Sequence, residues 1–358
     1  MVDTWRLDVH PLNGSVEASD VKFEGASILW ALNGPGTTEI EFALSGSNAP
    51  ANSLLQPGKK ELKWYRNNQL VWGGYLWSVD VDVVGYTLRA FGEGYLSRLR
   101  HRVVVSNLGF QDVAAHQIAW ELIDHTQTQT NGDLGITQGS HVGGSVLVDR
   151  EYCANQFPNI GDAINDLSSL EDTWDFYISP QMSVHTDKVL RTWNPKLGSD
   201  VSGTIVISSA NTHTLTYQID AHWTANVIEI VGGDDCLPPA IEQIHGGSQT
   251  DYGLMYYVED ASQFDHWRDL VHYANEQGRI HQKPRWTATA VYDDTHGMPF
   301  TSYDVGDIVS VTGDRGYATF AQDMRCISFQ VDLSQGGNQS DPGVKFYTAT
   351  LDSVVENT

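Results

Sequence analysis

The segment from Glu61 to Val103 constrains the fold more than any other part of the chain. Apolar residues alternate with other residues from Leu62 to Trp64 and from Leu70 to Trp72, which is the period of a half-buried antiparallel strand. The pair Asn67-Asn68 lies between these stretches, and because asparagine tolerates positive φ, it favours a tight hairpin. The segment therefore predicts three consecutive short strands, a β-meander, followed by a basic amphipathic exit.

The length and the charge of the chain limit its organisation and its partners. A chain of 358 residues is long enough for two to four domains, and its 33 glycines indicate the many turns of a β-rich protein. The 45 Asp and Glu residues outnumber the 21 Lys and Arg residues, which gives a net charge of −24. Such a surface repels nucleic acid and anionic membranes, so the composition argues against a conventional DNA- or RNA-binding protein.

Targeting signals and cysteine motifs are missing. The N-terminus has no basic region leading into an apolar core, and the longest apolar run, near Ala26 to Leu32, is too short to span a bilayer. Cys153, Cys236 and Cys326 match no metal-binding or disulfide pattern, so we expect buried free thiols. The sequence therefore predicts a soluble protein, without membrane insertion, that is completed in a reducing cytoplasm.

The order of strand-like and helix-like segments predicts a β-rich α+β fold with two β regions and two α-containing insertions. Strand patterns fill residues 1–105, and a helix–helix–hairpin pattern follows in residues 106–200. Strand character returns in residues 201–235 and 284–358, and a helical insertion, residues 236–283, separates these two parts. No internal repeat is visible in the residues, so the sequence does not relate the two β regions to each other.

The insertions contain three predicted amphipathic helices. In the first, Asp112 is the candidate N-cap of an apolar stripe that begins at Ala115. In the second, Asn159 is the candidate cap. The third is predicted from about Ser262 to Gln277, and Gly278 is placed to terminate it.

Residues suited to catalysis or metal binding form no recognisable site. Asp80 and Asp82 alternate on one predicted strand and share a face, but the further ligands of a calcium loop are missing. His266 and His272 stand six residues apart on a predicted helix, whereas a helical metal site uses a spacing of four. Motifs of hydrolases, nucleotide-binding proteins and zinc proteases are absent. We therefore assign no catalytic, cofactor-binding or metal-ligating residue, expect no cofactor, and predict that the chain is not an enzyme.

The 11 tryptophans allow two interpretations. Aromatic rings could stack against sugars on a carbohydrate-binding surface. Most of them, however, stand at in-facing strand positions or on helix stripes, and Trp174 and Trp267 are the clearest examples. Core packing is therefore the favoured interpretation.

Several short motifs follow one another in an order that is similar to one known family. They are Trp64–Gly74, Tyr86–Gly92, Tyr95–Leu99, Ala119–Ile123 with Gly132–Ile136, Ile160–Ile164 with Trp174–Phe176, and Val305–Val309. Together they resemble the tail hub proteins of tailed bacteriophages, which are related to the baseplate hub of contractile-tailed phages. The likeness is most evident with minor tail proteins of phages of Gram-positive actinobacteria and is strongest between residues 60 and 180.

This resemblance implies a structural protein of the virion, located at the tail tip or baseplate and assembled in the host cytoplasm. It implies a homotrimer in which each subunit contributes two tube-like β-barrel or sandwich domains, so that six such domains meet a hexameric tail tube. The two α-containing insertions would then lie outside the ring. The implied partners are the tail tube protein, the distal tail protein, the tape-measure protein and receptor-binding or fibre proteins. Since the chain ends soon after its last β region, no attached cell-wall-cleaving module is expected.

The acidic composition has a physical role in such a ring. Lys and Arg contacts would retain a passing duplex through counterion release, whereas a negative wall leaves double-stranded DNA mobile. We hypothesise that carboxylates line the channel, with Asp80 and Asp82 as candidates. Two alternatives remain open: a distal tail ring protein of sixfold symmetry, and a tail-tip protein that binds or hydrolyses cell-wall glycans.

Overall fold

The N-terminal region forms the β-meander that the sequence predicts, within a group of six strands. The computed structural model describes residues 4–170, 174–232, 240–244, 246–262, 264, 266–293, 302–335 and 342–353. Asn67 and Asn68 both have positive φ and connect two antiparallel strands in which Trp64 lies opposite Trp72. The six strands are β1 (Trp5–Pro11), β2 (Gly25–Ala31), β3 (Thr37–Ala43), β4 (Lys60–Arg66), β5 (Gln69–Asp82) and β6 (Thr87–Gly94).

The first insertion contains both predicted helices, but one cap prediction is wrong. Asn159 caps its helix as predicted, because its side chain accepts a hydrogen bond from the backbone N–H of Asp162. Asp112 is not a cap: it lies within a strand with a φ of 52°, and the helix begins at Ala115. The elements are α1 (Leu96–Leu99), β7 (Leu108–Ala114), α2 (Ala115–Gln127), β8 (Thr137–Gly143), β9 (Leu147–Tyr152), α3 (Ile160–Ser168), β10 (Asp175–Ile178) and β11 (Val189–Asn194).

The remaining elements include a long helix that differs from its prediction. This helix begins at Trp267, and Gly278, which the sequence places at its end, is buried inside it. Among the described residues, no helix is long and apolar enough to cross a membrane. The elements are β12 (Val206–Ser208), β13 (Thr214–Asp220), β14 (Val227–Gly232), β15 (Ala240–Ile244), α4 (Gly246–Tyr252), β16 (Tyr256–Ala261), α5 (Trp267–His281), β17 (Arg285–Tyr292), β18 (Ile308–Arg315), β19 (Ala318–Gln335) and β20 (Pro342–Ser353).

Strands from the two ends of the chain build one 12-stranded sheet, and the same strand order occurs in it twice. Strands β1 to β6 stand in the order β1-β4-β5-β6-β3-β2. The last six strands of the sheet, numbered in chain order, stand in the same order: β12-β18-β19-β20-β17-β13. We call these groups the N-module and the C-module. One pairing differs, because β1 is antiparallel to β4 whereas β12 is parallel to β18.

A β-bulge at the same place in both modules strengthens this correspondence. In the N-module, Trp77 is an extra residue of β5 opposite β6. In the C-module, Ile327 is an extra residue of β19 opposite β20. Because a bulge is a defined local feature of a sheet, its recurrence sets a residue-by-residue alignment of the two modules. In this alignment Ser78 corresponds to Ser328.

The two modules are joined edge to edge. Strand β2 pairs antiparallel with β19, from Ala31 opposite Ser328 to Gly25 opposite Ser334. Buried side chains of both modules form a single hydrophobic core beneath the sheet. The junction is therefore a continuous piece of sheet, and the two modules are not separate barrels connected by a linker.

The insertions share a second hydrophobic core, which contains residues of α2, α3 and α5. Strand β14 belongs to this part, since it pairs with β15 and β16 and not with the 12-stranded sheet. The sequence analysis places residues 226–231 with the second β region, and this placement is wrong. Ile228 and Ile230 are buried against the helical part, so the apolar pattern of β14 does not reflect burial in the C-module.

Candidate assembly surface

One face of the 12-stranded sheet is polar and runs across both modules. Directly paired residues of neighbouring strands point to the same side of a sheet, so the register identifies the members of each face. One row runs from Ser78 through Phe91, Glu39 and Ser27 to Asp332. Most of the alternating positions are buried in the core, whereas the residues of this row are partly or fully exposed.

This surface, which we call the acidic face, covers β5 from Ser78 onward, β6, β3, β2, β19 from Ser328 onward, β20, β17 and β13. Its described basic side chains are Arg89, which lies between Asp80 and Glu41, and Arg285, which is paired with Asp352. Carboxylates outnumber these arginines. They are Glu39, Glu41, Asp80, Asp82, Glu93, Asp220, Asp332 and Asp352.

The other members of the acidic face are mostly small hydroxyl-bearing side chains. Such side chains form hydrogen bonds with water and carry no charge. They therefore dilute the carboxylates without adding cations to the surface. They are Ser27, Thr37, Ser78, Thr87, Thr214, Thr216, Thr287, Thr289, Ser328, Ser334, Thr348 and Thr350.

The structure places both predicted channel residues on this face, with different local roles. Asp80 lies directly opposite Arg89, and its side chain is exposed. The Asp82 carboxylate accepts hydrogen bonds from the backbone N–H groups of Val84 and Gly85, at 3.0 and 2.7 Å. Asp82 therefore also holds the turn after β5, whereas Asp80 is a surface charge.

A buried carboxylate ties the insertion to the junction of the modules. Asp175, on β10, forms an ion pair with Arg325 of the C-module. It also accepts a hydrogen bond of 3.0 Å from Asn33 in the turn after β2, and one of 2.6 Å from the backbone N–H of Leu197. Since each module supplies one partner, Asp175 fixes their relative position.

A second ionic cluster attaches the same insertion to the N-module. The Lys188 ammonium donates to Glu61 on β4 at 2.7 Å, and Lys63 donates to Asp187 at 2.6 Å. Tyr95 also donates to Asp187, and burial together with this carboxylate raises the pKa of Tyr95 well above its ordinary value. The insertion is therefore anchored at two places on the sheet, at the edge of the acidic face beside Glu93 and Asp352.

A cleft of about 580 Å³ between this insertion and the C-module bears on the glycan alternative. Its wall includes the aromatic pair Tyr177 and Trp193, whose ring centroids lie 5.0 Å apart. Asp304 in the cleft accepts hydrogen bonds from Ser183 and from the backbone of Val305, and burial raises its pKa. Its carboxylate oxygens are engaged in local structure, so the cleft offers aromatic surface but not a free pair of catalytic carboxylates at this position.

The other residues that the sequence analysis discusses do not meet in one place. Trp174 is buried as predicted, but Trp267 is 45% exposed at the start of α5, so its assignment to the core is wrong. His266 lies just before α5, and His272 lies within it. Cys326 is buried and Cys153 is partly buried, whereas Cys236 lies outside the described residues. Within the described ranges, no group of three or more His, Cys, Asp or Glu side chains could hold a metal ion.

Solved structures with a similar fold include tail proteins and a component of the type VI secretion system. The tail protein from Neisseria meningitidis MC58 has a TM-score of 0.64 and 11% identity, with 99% of this chain and 97% of that chain covered. The 43 kDa tail protein of prophage MuSo2 from Shewanella oneidensis has a TM-score of 0.62 and 10% identity, with 98% of each chain covered. An E. coli component of the type VI secretion system, described as structurally similar to T4 tail proteins gp27 and gp5, has a TM-score of 0.52 and 11% identity, with 98% and 77% covered.

Sequence comparison gives no such match. No family model matches the chain, and no curated protein does. At 10–11% identity the solved structures establish the fold, which is the β-rich α+β fold of tail proteins that the sequence analysis expects.

Proposed function

We propose that the protein is the structural hub of a bacteriophage tail tip or baseplate. In this proposal three copies form a ring that caps the hexameric tail tube and encloses part of the channel for DNA ejection. The observation that carries the proposal is the pair of modules with one strand order and one bulge position. Three chains with two similar modules each present six similar surfaces, which is the number that a sixfold tube requires.

The acidic face is the surface that we assign to the channel. It continues across the β2–β19 junction, and the α-containing insertion is anchored at its edge, through Glu61 and Arg325. Its carboxylates repel phosphates, and its hydroxyl groups keep it hydrated. DNA passes along such a wall without being retained, because the described residues of the face contain no row of Lys or Arg that would release counterions from it.

The remaining surfaces are available to the neighbours of a tail hub. The insertions lie outside the ring, where distal tail, receptor-binding or fibre proteins would attach. The ends of the ring would contact the tail tube and the tape-measure protein. The protein would act in the virion, after assembly in the host cytoplasm, as a structural component and not as an enzyme.

Measuring the stoichiometry of the purified assembly tests this function. Native mass measurement of the chain bound to its tail-tube subunits should give three copies for each six tube subunits. Six copies for each tube ring would favour the distal tail ring protein and overturn the proposed trimer. Turnover of purified peptidoglycan would instead favour the cell-wall alternative.

A further inference from the structure

The open strand edges in the described part of the sheet include one edge of β13 and one edge of the second half of β5. Strand β13 pairs with β17 on one side only. In β5, the segment Ser78–Asp82 pairs with β6 but extends beyond β4, which pairs only with residues 69–75. Open edges present unpaired backbone N–H and C=O groups that can accept another strand.

These two edges correspond to the two strands that meet inside the molecule. The bulge alignment matches Ser78–Asp82 of β5 with Ser328–Asp332 of β19. Following the pairing across each module matches β13 with β2, so that Thr216 corresponds to Ser27. Each free edge is therefore the counterpart of an edge that is paired at the junction.

At the β2–β19 junction, pairing of two such edges buries large apolar side chains. On the core side of the sheet, Trp30 lies opposite Phe329 and Ile28 lies opposite Val331. All four side chains are at most 1% exposed, so pairing of the strands merges the cores of the two modules.

All four corresponding positions at the free edges are apolar, and two of them are exposed. Val81 corresponds to Val331 and is 51% exposed, and Ile219 corresponds to Trp30 and is 42% exposed. Both occupy positions that face the core in the other module. Apolar side chains at such positions, beside unpaired backbone groups, indicate a surface that is buried in an assembly.

We infer that β13 of one copy pairs antiparallel with Ser78–Asp82 of the next copy and repeats the internal junction between subunits. The inferred register places Ser78 opposite Asp220, Asp80 opposite Gln218 and Asp82 opposite Thr216. On the core side, Val79 lies opposite Ile219 and Val81 lies opposite Tyr217. This inference rests on the proposed function, because the partner is a second copy of the same chain.

The inferred pairing is chemically consistent along its length. No carboxylate lies directly opposite another, so the register contains no like-charge pair. The contact joins the C-module of one copy to the N-module of the next, and such head-to-tail contacts close into a ring when the rotation permits. Since the contacts within and between chains are equivalent, the acidic face becomes continuous around the ring.

Cysteine crosslinking in the full-length chain tests the register. Opposed residues of an antiparallel pair have Cβ atoms about 5 Å apart, close to the separation that a disulfide needs. Under mild oxidation, the variant D80C/Q218C should form intermolecular disulfides, with covalent dimers and trimers on a denaturing gel. The control D80C/T214C moves one cysteine four residues along the same face, about 13 Å away, and should not crosslink. The parent chain and both single variants control for the native cysteines.

The oligomeric state separates failure of this inference from failure of the proposed function. Mass measurement of the same samples under native conditions gives the number of copies. Trimers without the D80C/Q218C crosslink, or with a stronger D80C/T214C crosslink, would overturn the inferred pairing but leave the ring intact. A chain that stays monomeric at every concentration, both by itself and mixed with tube subunits, and that forms no crosslinks would overturn both the inferred pairing and the proposed function.

Discussion

Asp175 connects the first insertion to both modules of the sheet. It is 3% exposed and contacts Arg325 of the C-module and Asn33 of the N-module. A buried charge without its partner is costly, so Asp175 and Arg325 each depend on the other. Asp175 lies in the motif Trp174–Phe176, but its partners could not be predicted from the sequence, because Asn33 and Arg325 are more than 100 positions away.

Replacing Asp175 should destabilise the whole molecule. In D175N the neutral amide no longer balances the charge of the Arg325 guanidinium, which stays buried. The free energy of unfolding should therefore fall by about 3 kcal/mol. Chemical denaturation followed by tryptophan fluorescence measures this change. The control D251N removes an exposed carboxylate on α4 and should change the stability by less than about 0.5 kcal/mol. Equal stability of the two variants would contradict the role of Asp175.

A stacked histidine pair should make the stability of the insertion depend on pH. The rings of His116 and His141 lie 3.6 Å apart, and burial together with His141 lowers the pKa of His116 to about 4. As the pH falls from about 6.5 to about 4, the unfolded chain therefore binds a proton at this site before the folded chain does. The free energy of unfolding should decrease over this window.

The variant H116Q isolates this contribution. Its free energy of unfolding should decrease less than that of the parent chain between pH 6.5 and pH 4. The parent chain is the reference, because burial also lowers the pKa of His10 and His281, and these two residues also make the free energy of unfolding fall as the pH falls. Parallel pH profiles of the two proteins would contradict the prediction.

At the scale of elements, local patterns predict strands and helices better than they predict where helices begin and end. The Asn67-Asn68 hairpin and the Asn159 cap follow from local backbone preferences, and both are confirmed. Asp112 fails as a cap because strand pairing of β7 with β9 continues past it around a bulge. Gly278 fails as a terminator because tertiary packing keeps α5 helical through His281.

The repeat of strand order could not be predicted from the residues. Corresponding positions carry different side chains, such as Trp77 and Ile327 at the bulge and Glu39 and Thr289 on the acidic face. A few residues are identical, since Ser78, Val81 and Asp82 correspond to Ser328, Val331 and Asp332. Such short matches become visible as a repeat only when the strand pairing aligns the two modules.

Gly94 in the N-module packs directly against the backbone of Pro35. A Cβ atom on Gly94, at the end of β6, would lie 1.7 Å from the backbone oxygen of Pro35. G94A should therefore move the turn before β3 and destabilise the protein by about 1–3 kcal/mol. The control G109A, in β7, places its Cβ in open space. Thermal denaturation of both variants measures the effect, and a G94A protein as stable as G109A would contradict the packing.

At the scale of the whole molecule, the sequence predicts the β-rich α+β class and the alternation of β and α segments. It does not show that the modules share one sheet, because that depends on the pairing of β2 with β19, about 300 residues apart. Nor does it show that both insertions share one core. The location of Asp80 and Asp82 on a common polar face was predictable from their spacing, whereas the extent of that face was not.

Reversing charges on the acidic face should slow DNA ejection. E39K/D332K places lysines on both sides of the β2–β19 junction, in one row of the face. The lysines would bind phosphates, so we expect ejection to be about tenfold slower at low salt, with recovery as the salt concentration rises. The control E151K/D251K makes the same charge change on the insertions. Equal ejection rates for both variants in reconstituted phage would contradict the assignment of this face to the channel.

The most direct test of the central claim, that two equivalent modules in each chain form a ring of six, is a cryo-EM reconstruction of the tail tip. We expect threefold symmetry, six similar modules around the channel, and the acidic face on its inner wall. A ring in which only one module of each chain surrounds the channel, or a channel wall rich in Lys and Arg, would contradict it.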